Sequence, residues 1–189
     1  HFGGKFLIET FVPKMLTGNW GGTMCLTEPQ AGSSLSDIIS TAVPDGDTYK
    51  ITGQKIFISA GDYQGVENVV HLVLARIKGA PAGTKGISLF VVPKNRPDST
   101  GNLSCNDVNT IGDFQKMGQR GYCTTHLSFG DTNDCQGWLV GEPHQGLKYM
   151  FLMMNSARIS VGRGAAAITM AAYQASLAYA KERPQGRSI

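Results

Sequence analysis

From Trp20 to about Val140 the sequence runs as short β-rich segments cut apart by Gly, Pro, Asn and Asp. That punctuation is the signature of a β-barrel or a sandwich. Val69 to Ala75 and Ile87 to Val92 are nearly continuous apolar runs and read as core strands, with Gly79 to Gly86 as the turn joining them. Thr48-Tyr49-Lys50-Ile51 and Lys55-Ile56-Phe57-Ile58 flank Thr52-Gly53 and read as a hairpin. Further strands fall near Thr124 to Phe129 and Trp138 to Val140, whereas the polar stretch Asn95 to Gly112 reads as a mobile loop excursion.

After Gly146 the period changes. Met150, Met153, Met154, Ala157, Val161, Ala165, Ile168, Ala172 and Ala175 recur at helical spacing. A long helix this rich in small residues packs closely against other helices, and Gly162 and Gly164, which cost helix propensity, suggest a tight crossing. The sequence to Ile189 offers no further helix to cover it, so the chain reads as a fragment of a larger protein. At the other end Phe6-Leu7-Ile8 and Phe11-Val12 precede Pro13 and a Thr17-Gly18-Asn19 break, which reads either as the tail of a preceding helical region or as a local surface helix.

Composition narrows the function classes. With 41% hydrophobic and 16% charged residues the chain is globular. Its net charge of +3 comes from scattered Lys and Arg, which argues against nucleic acid and a membrane surface. Cys25, Cys105, Cys123 and Cys135 form no C-x-x-C pair and have no His at metal spacing, so no metal site is expected and a reduced, cytosolic setting fits best. No signal peptide or membrane-spanning run stands out, and a chain that starts at His1 leaves targeting open.

The chemistry concentrates in Met24-Cys-Leu-Thr-Glu-Pro-Gln-Ala-Gly-Ser-Ser34. Leu26 and Thr27 read as a strand end, Pro29 stops the ladder because it lacks an N–H, and Gly32 lets backbone amides approach a ligand. On residue types alone the same stretch is better read as an ordinary capped turn. Its wording goes further. Thr27-Glu28-Pro29-x-Ala31-Gly32-Ser33 resembles the flavin loop of the acyl-CoA dehydrogenases, and the resemblance continues in order along nearly the whole chain. It runs through Gly53-Gln54-Lys55-Ile56-Phe57-Ile58-Ser59, Lys116-Met117-Gly118, Gly141-Glu142-Pro143, Met153-Met154-Asn155-x-x-Arg158 and Tyr179-Ala180-x-Glu182-Arg183. Ile-Phe-Ile-Ser-Ala-Gly at 56–61, His71-Leu72-Val73-Leu74-Ala75-Arg76 and Gln185-Gly186-Arg187 look most like the longer bacterial branch that includes 3-methylthiopropanoyl-CoA dehydrogenases.

The resemblance implies a mainly β fold, the family's middle-domain β-barrel, followed by a long C-terminal α-helix, as a fragment of an α+β+α enzyme. Residues 1–18 would end an N-terminal helical domain or linker, 19–143 would be the middle barrel and 144–189 the first helix of a C-terminal helical domain. The implied cofactor is FAD, held by Met24, Leu26, Thr27, Gly32, Ser33, Phe57, Ile58, Ser59 and Arg183. Leu26 would offer an N–H and Thr27 a hydroxyl to the pyrimidine edge, with Gly32 and Ser33 at the pyrophosphate. Phe57 stands where relatives commonly carry a tryptophan wall, and Ser59 where they carry a threonine near N5. Arg183 matches an arginine that reaches the FAD diphosphate of a neighbouring subunit, although as a helix C-terminal charge it also suits the macrodipole.

The acyl-CoA contacts that the resemblance implies fall on Ser33, Asn155 and Arg158. Asn155 replaces a commonly acidic residue, and Arg158 read alone is a helix-surface cation. The family's base is a glutamate, in some members directly before the arginine matched by Arg158. Here that position is Ala157, so the base is expected beyond Ile189 and the isolated chain is expected to be inactive. His71, His126 and His144 read as strand or turn residues.

The implied reaction is α,β-dehydrogenation of an acyl-CoA to a trans-2-enoyl-CoA, with hydride passing to flavin N5. Electrons would leave to an electron-transfer flavoprotein from a homo-oligomer, dimer or tetramer, more in keeping with bacterial cytoplasm than with mitochondrial matrix. An oxidase of the same fold and a non-catalytic binding module are the alternatives.

Overall fold

The computed structural model describes residues 1–186 and divides into two units, His1–Tyr149 and the chain from Met150 onward. In the first unit helix α1 (Lys5–Leu16) leads into ten strands: β1 (Trp20–Cys25), β2 (Thr41–Asp45), β3 (Thr48–Ser59), β4 (Asn68–Ile77), β5 (Ile87–Pro93), β6 (Asn95–Pro97), β7 (Leu103–Cys105), β8 (Val108–Asp113), β9 (Thr124–Phe129) and β10 (Gln136–Leu139). Helix α1 buries Leu7 and Phe11, and the Phe11 ring lies 5.9 Å from Trp20 and 5.8 Å from Trp138.

The apolar runs at 69–75 and 87–92 form antiparallel neighbours β4 and β5, with Val73 opposite Phe90. Pairing then passes from β5 to β10, from β10 to β3, from β3 to β2, and from β2 in parallel back to β4. These pairings close a ring of five strands, from which β1 and β8 remain as the free ends of two branches. Strand β1 lies parallel to β4, with Cys25 opposite Val73, while β9 and β8 extend the sheet from β3. Inside sit Cys25, Ala42, Ile51, Ile58, Val73, Phe90, Val92, Leu127 and Phe129, among others.

Residues 48–58 are not a hairpin. They belong to one twelve-residue strand, and the hairpin turn lies earlier, at Gly46-Asp47, where Gly46 takes φ +61°. Gly53 instead marks the place where β3 exchanges partners. Residues 48–52 pair with β2, and from Gly53, opposite Phe129, the strand pairs with β9. With φ +149° and Ser40 so close that a Cβ would meet its Oγ at 2.3 Å, the position needs a glycine. The stretch 95–112 is likewise more ordered than its polarity suggests, because β6 and β7 pair as a hairpin and β8 joins the main sheet. Polar composition there reflects two-sided exposure, not the lack of a ladder.

Helix α2 (Gly146–Glu182) runs unbroken for 37 residues past Gly162 and Gly164. Two glycines cost about 1 kcal/mol each, which a long run with Ala165, Ala166 and Ala167 beside them absorbs. Among the described residues no helix is long and apolar enough to cross a membrane.

Candidate functional site

β1 ends at Cys25, so Leu26 and Thr27 lie just beyond the strand. The chain then reverses over Pro29 and Gln30, closed by Glu28 N–H to Ala31 O at 2.8 Å and Ala31 N–H to Glu28 O at 3.1 Å. Gly32, Ser33 and Ser34 follow, all exposed. Among the described residues none accepts a hydrogen bond from the N–H groups of these three. Three adjacent bare amides with serine hydroxyls beside them make an anion-accepting surface. A Cβ at Gly32 would meet only Thr27 Cγ2 at 3.8 Å, so the protein itself leaves space there and the glycine bares the loop's outer side.

The loop lies against β3. Ile56 N–H donates to Thr27 O at 2.9 Å, and the Lys55 ammonium donates to Leu26 O at 3.1 Å. Immediately after, the β3–β9 register shifts between Lys55 and Ile58, and Phe57 takes φ +58°. A bulky residue in that region costs about 1–3 kcal/mol, and such strain gathers at working sites. Here it turns the ring outward: Phe57 remains 57% exposed, 4.6 Å from the Phe114 ring. Ser59 is exposed as well, whereas Ile58 is buried in the core and its carbonyl accepts the Thr125 hydroxyl at 3.1 Å. Met24 is partly exposed on β1, beside the buried Cys25. Thr27, Gly32, Ser33, Phe57 and Ser59 thus belong to one loop and the strand it lies on.

The sequence reading missed what holds this loop. Glu28 and Lys55 form an ion pair at 2.8 Å whose side chains are 1% and 0% exposed. The carboxylate also accepts N–H donors from Ile39 at 2.7 Å and Ser40 at 3.1 Å, and the Gln30 amide at 2.7 Å. Burial alone would raise the Glu28 carboxyl, but the Lys55 charge and these donors hold it below the usual glutamate value. Burial pulls the Lys55 ammonium down against the Glu28 charge. The available signal was alternation: Lys55 lies four residues on from the buried Ile51 along β3 and so faces inward with it, and an inward lysine calls for a buried anion.

The histidines sit apart from this loop. His71 is buried on β4, its Nδ1 2.8 Å from Thr23 Oγ1 and its Nε2 without a partner among the described residues, and burial pushes it down to about 3. His126 contacts Gln54, and His144 occupies a turn at φ +66°.

In the second unit Arg158 Nη1 donates to Asn155 Oδ1 at 3.1 Å, and its guanidinium lies 5.3 Å from the Phe151 ring centre. The two residues do share one helix face, and the amide oxygen does for the arginine what a carboxylate would do with charge. Arg183 follows the last helical turn, its N–H bonded to Tyr179 O. Arg187 lies outside the described residues.

The chain resembles known proteins along nearly its whole length. The chain is 48% identical over 183 residues to a 3-methylmercaptopropionyl-CoA dehydrogenase of Ruegeria pomeroyi, covering 95% of this chain and 30% of that protein. It is 44% identical over 192 residues to a butyryl-CoA dehydrogenase of Syntrophomonas wolfei, covering 97% and 31%. It therefore spans about a third of the length of these relatives. A crystal structure of a probable acyl-CoA dehydrogenase from Mycobacterium abscessus superposes with a TM-score of 0.76 at 30% identity, covering 98% of this chain and 46% of that one. The profile of the acyl-CoA dehydrogenase middle domain matches residues 23–132, which contain both the bare-amide loop and the bulged strand, and the chain belongs to the acyl-CoA dehydrogenase family.

Proposed function

We propose that this chain is the flavin-loop portion of an FAD-dependent acyl-CoA dehydrogenase that converts an acyl-CoA thioester to its trans-2-enoyl-CoA. The observation that carries the reading is the fit of loop to strand: three bare amides and two hydroxyls at 32–34 lie on a loop tied by Thr27 to β3, which turns an aromatic face outward one residue later. These parts match what a flavin needs, namely an anion cradle, a polar edge and a wall. Gly32 and Ser33 would hold the pyrophosphate, Leu26 and Thr27 the pyrimidine edge, and Phe57 and Ser59 the ring. Ile58 would contribute through its backbone alone. Bound FAD supplies a two-electron acceptor for the hydride leaving the β-carbon.

The residues of this chain bind and orient. The α-proton goes to a carboxylate supplied from outside it, since Ala157 occupies the one family position for a base within it. Asn155 and Arg158 present an amide and a cation to the CoA moiety, and Arg183 adds positive charge for a diphosphate. Relatives named for butyryl and 3-methylmercaptopropionyl groups make short acyl chains the first substrates to test. An electron-transfer flavoprotein as acceptor, a homo-oligomeric assembly and a bacterial cytoplasmic setting belong to the same reading.

The test is an absorbance spectrum of the full-length protein before and after anaerobic addition of butyryl-CoA and 3-methylthiopropanoyl-CoA. Bound flavin that bleaches with one of them is the expected result. A protein that purifies without flavin and takes up none on addition of FAD refutes the reading.

A further inference from the structure

Residues 36–40 adopt no strand beyond a short 3-10 turn at Leu35–Asp37, yet their polar groups are claimed from two sides. Glu28 takes the N–H groups of Ile39 and Ser40. Arg76, on β4, takes the carbonyls: its Nη2 donates to Ser36 O, its Nε to Ile38 O at 2.9 Å and its backbone N–H to Ser40 O at 2.9 Å. The remaining guanidinium nitrogen reaches Gly83 O at 2.7 Å and Pro81 O at 3.3 Å, which ties the same arginine to the β4–β5 connection. At the other root of the loop Lys55 fixes Leu26 O and Glu28. An irregular segment satisfied by an anion on its donor side and a cation on its acceptor side has one shape. Its free stretch between the two roots is the bare-amide surface at 32–34.

We propose that Glu28, Lys55 and Arg76 are positioning residues for the cofactor, a charge clamp that sets the anion-accepting shape of the 27–34 loop before the ligand arrives. This rests on the flavin reading given above. Glu28 and Lys55 are too deeply buried to touch a ligand, and the Arg76 guanidinium is committed to four carbonyls, so all three act through the backbone they hold. A loop ordered in advance spares the ligand the ordering cost and binds it more tightly.

The experiment uses the full-length protein and two variants. Arg76→Lys keeps the charge but replaces a planar fork with a single ammonium that cannot span Ser36, Ile38 and Gly83. The double variant Glu28→Gln/Lys55→Met removes both buried charges together. Three quantities are read on each: amide hydrogen exchange at residues 32–40 in the apoprotein, the FAD dissociation constant, and the apoprotein unfolding midpoint. For Arg76→Lys, exchange at Ile39 and Ser40 should quicken and the FAD constant should rise about tenfold or more, the factor that goes with one lost charge-assisted bond. The midpoint should move by only a few degrees.

An FAD constant within about twofold of wild type in Arg76→Lys, or 32–40 amides exchanging at the wild-type rate, overturns the clamp. So does an FAD constant that moves only in step with the unfolding midpoint across both variants, since a merely structural role predicts that. A wild-type protein that binds no FAD refutes the flavin reading itself. Wild type that binds with Arg76→Lys binding equally well refutes the clamp alone.

Discussion

Removing the Lys55 cation isolates a buried carboxylate, and that makes Lys55→Met the sharpest probe of the structure. Met keeps most of the side-chain volume, so the loss is that of the charge and of the bond to Leu26 O. Glu28 stays 1% exposed, and three donors remain, from Ile39, Ser40 and Gln30. Breaking a buried pair at one partner costs about 3–5 kcal/mol, and the surviving donors place this case near about 3 kcal/mol. For a domain of this size that is a fall of roughly 6–12 °C in Tm.

The pH dependence carries the sharper test. In the wild type the folded-state Glu28 is held below its unfolded value, so its contribution is complete above about pH 5 and is lost as pH falls through the lower, folded value. In Lys55→Met the charge that lowered it is gone, and Glu28 takes up a proton at higher pH. The stability gap between the two proteins should therefore narrow from pH 7 toward pH 4. Glu28→Gln/Lys55→Met should recover a large part of the loss at pH 7. Denaturant unfolding followed by circular dichroism at both pH values reads all three. A gap below about 1 kcal/mol at pH 7 would mean that the pair is solvated like a surface bridge. A gap that widens on acidification would mean that Glu28 is not the buried anion described.

Other perturbations separate site from scaffold. Phe57→Ala removes an exposed ring whose stack on Phe114 is worth about 0.5–1.5 kcal/mol, so stability should change little. FAD affinity should fall, and Phe57→Trp should retain it, as flavin fluorescence titration would show. Gly53→Ala forces a Cβ onto Ser40 in a region that L residues avoid, and should cost at least about 1–3 kcal/mol by thermal unfolding, with slower flavin uptake because Ser40 anchors the loop. His71 stays neutral in the fold down to about pH 3 while its unfolded form protonates near 6.5. Folding stability should therefore drop by about 1.4 kcal/mol per pH unit between those values, and His71→Leu should flatten that part of the acid limb.

What was legible in the sequence was whatever a side chain declares by itself. Apolar runs at 69–75 and 87–92 announced the core strands because both faces are buried, and the small-residue period after Gly146 announced the helix. The misreadings share one cause. Thr52-Gly53 reads as a turn because glycine marks either a reversal or a close approach, and only the partner, Ser40, thirteen residues back, says which. The polar stretch at 95–112 hid strands because a ladder exposed on both faces has no apolar signature.

The site divides along the same line. Thr27, Gly32, Ser33, Phe57 and Ser59 were legible as motif positions, yet nothing in their spacing foretold that Phe57 would sit at positive φ on a bulge. The inward face of Lys55 asks for an anion, but which one could not be read: Glu28 lies 27 positions away, and Arg76, 48 positions from Glu28, joins the pair only through backbone groups that carry no sequence label. A loop that presents bare amides to an anion cannot satisfy those amides internally, so its shape has to be imposed from its roots. That requirement explains why the two most buried charges of the domain lie behind an exposed polar loop, and why a substitution at Arg76, which touches no ligand, should be read out at Gly32 to Ser34.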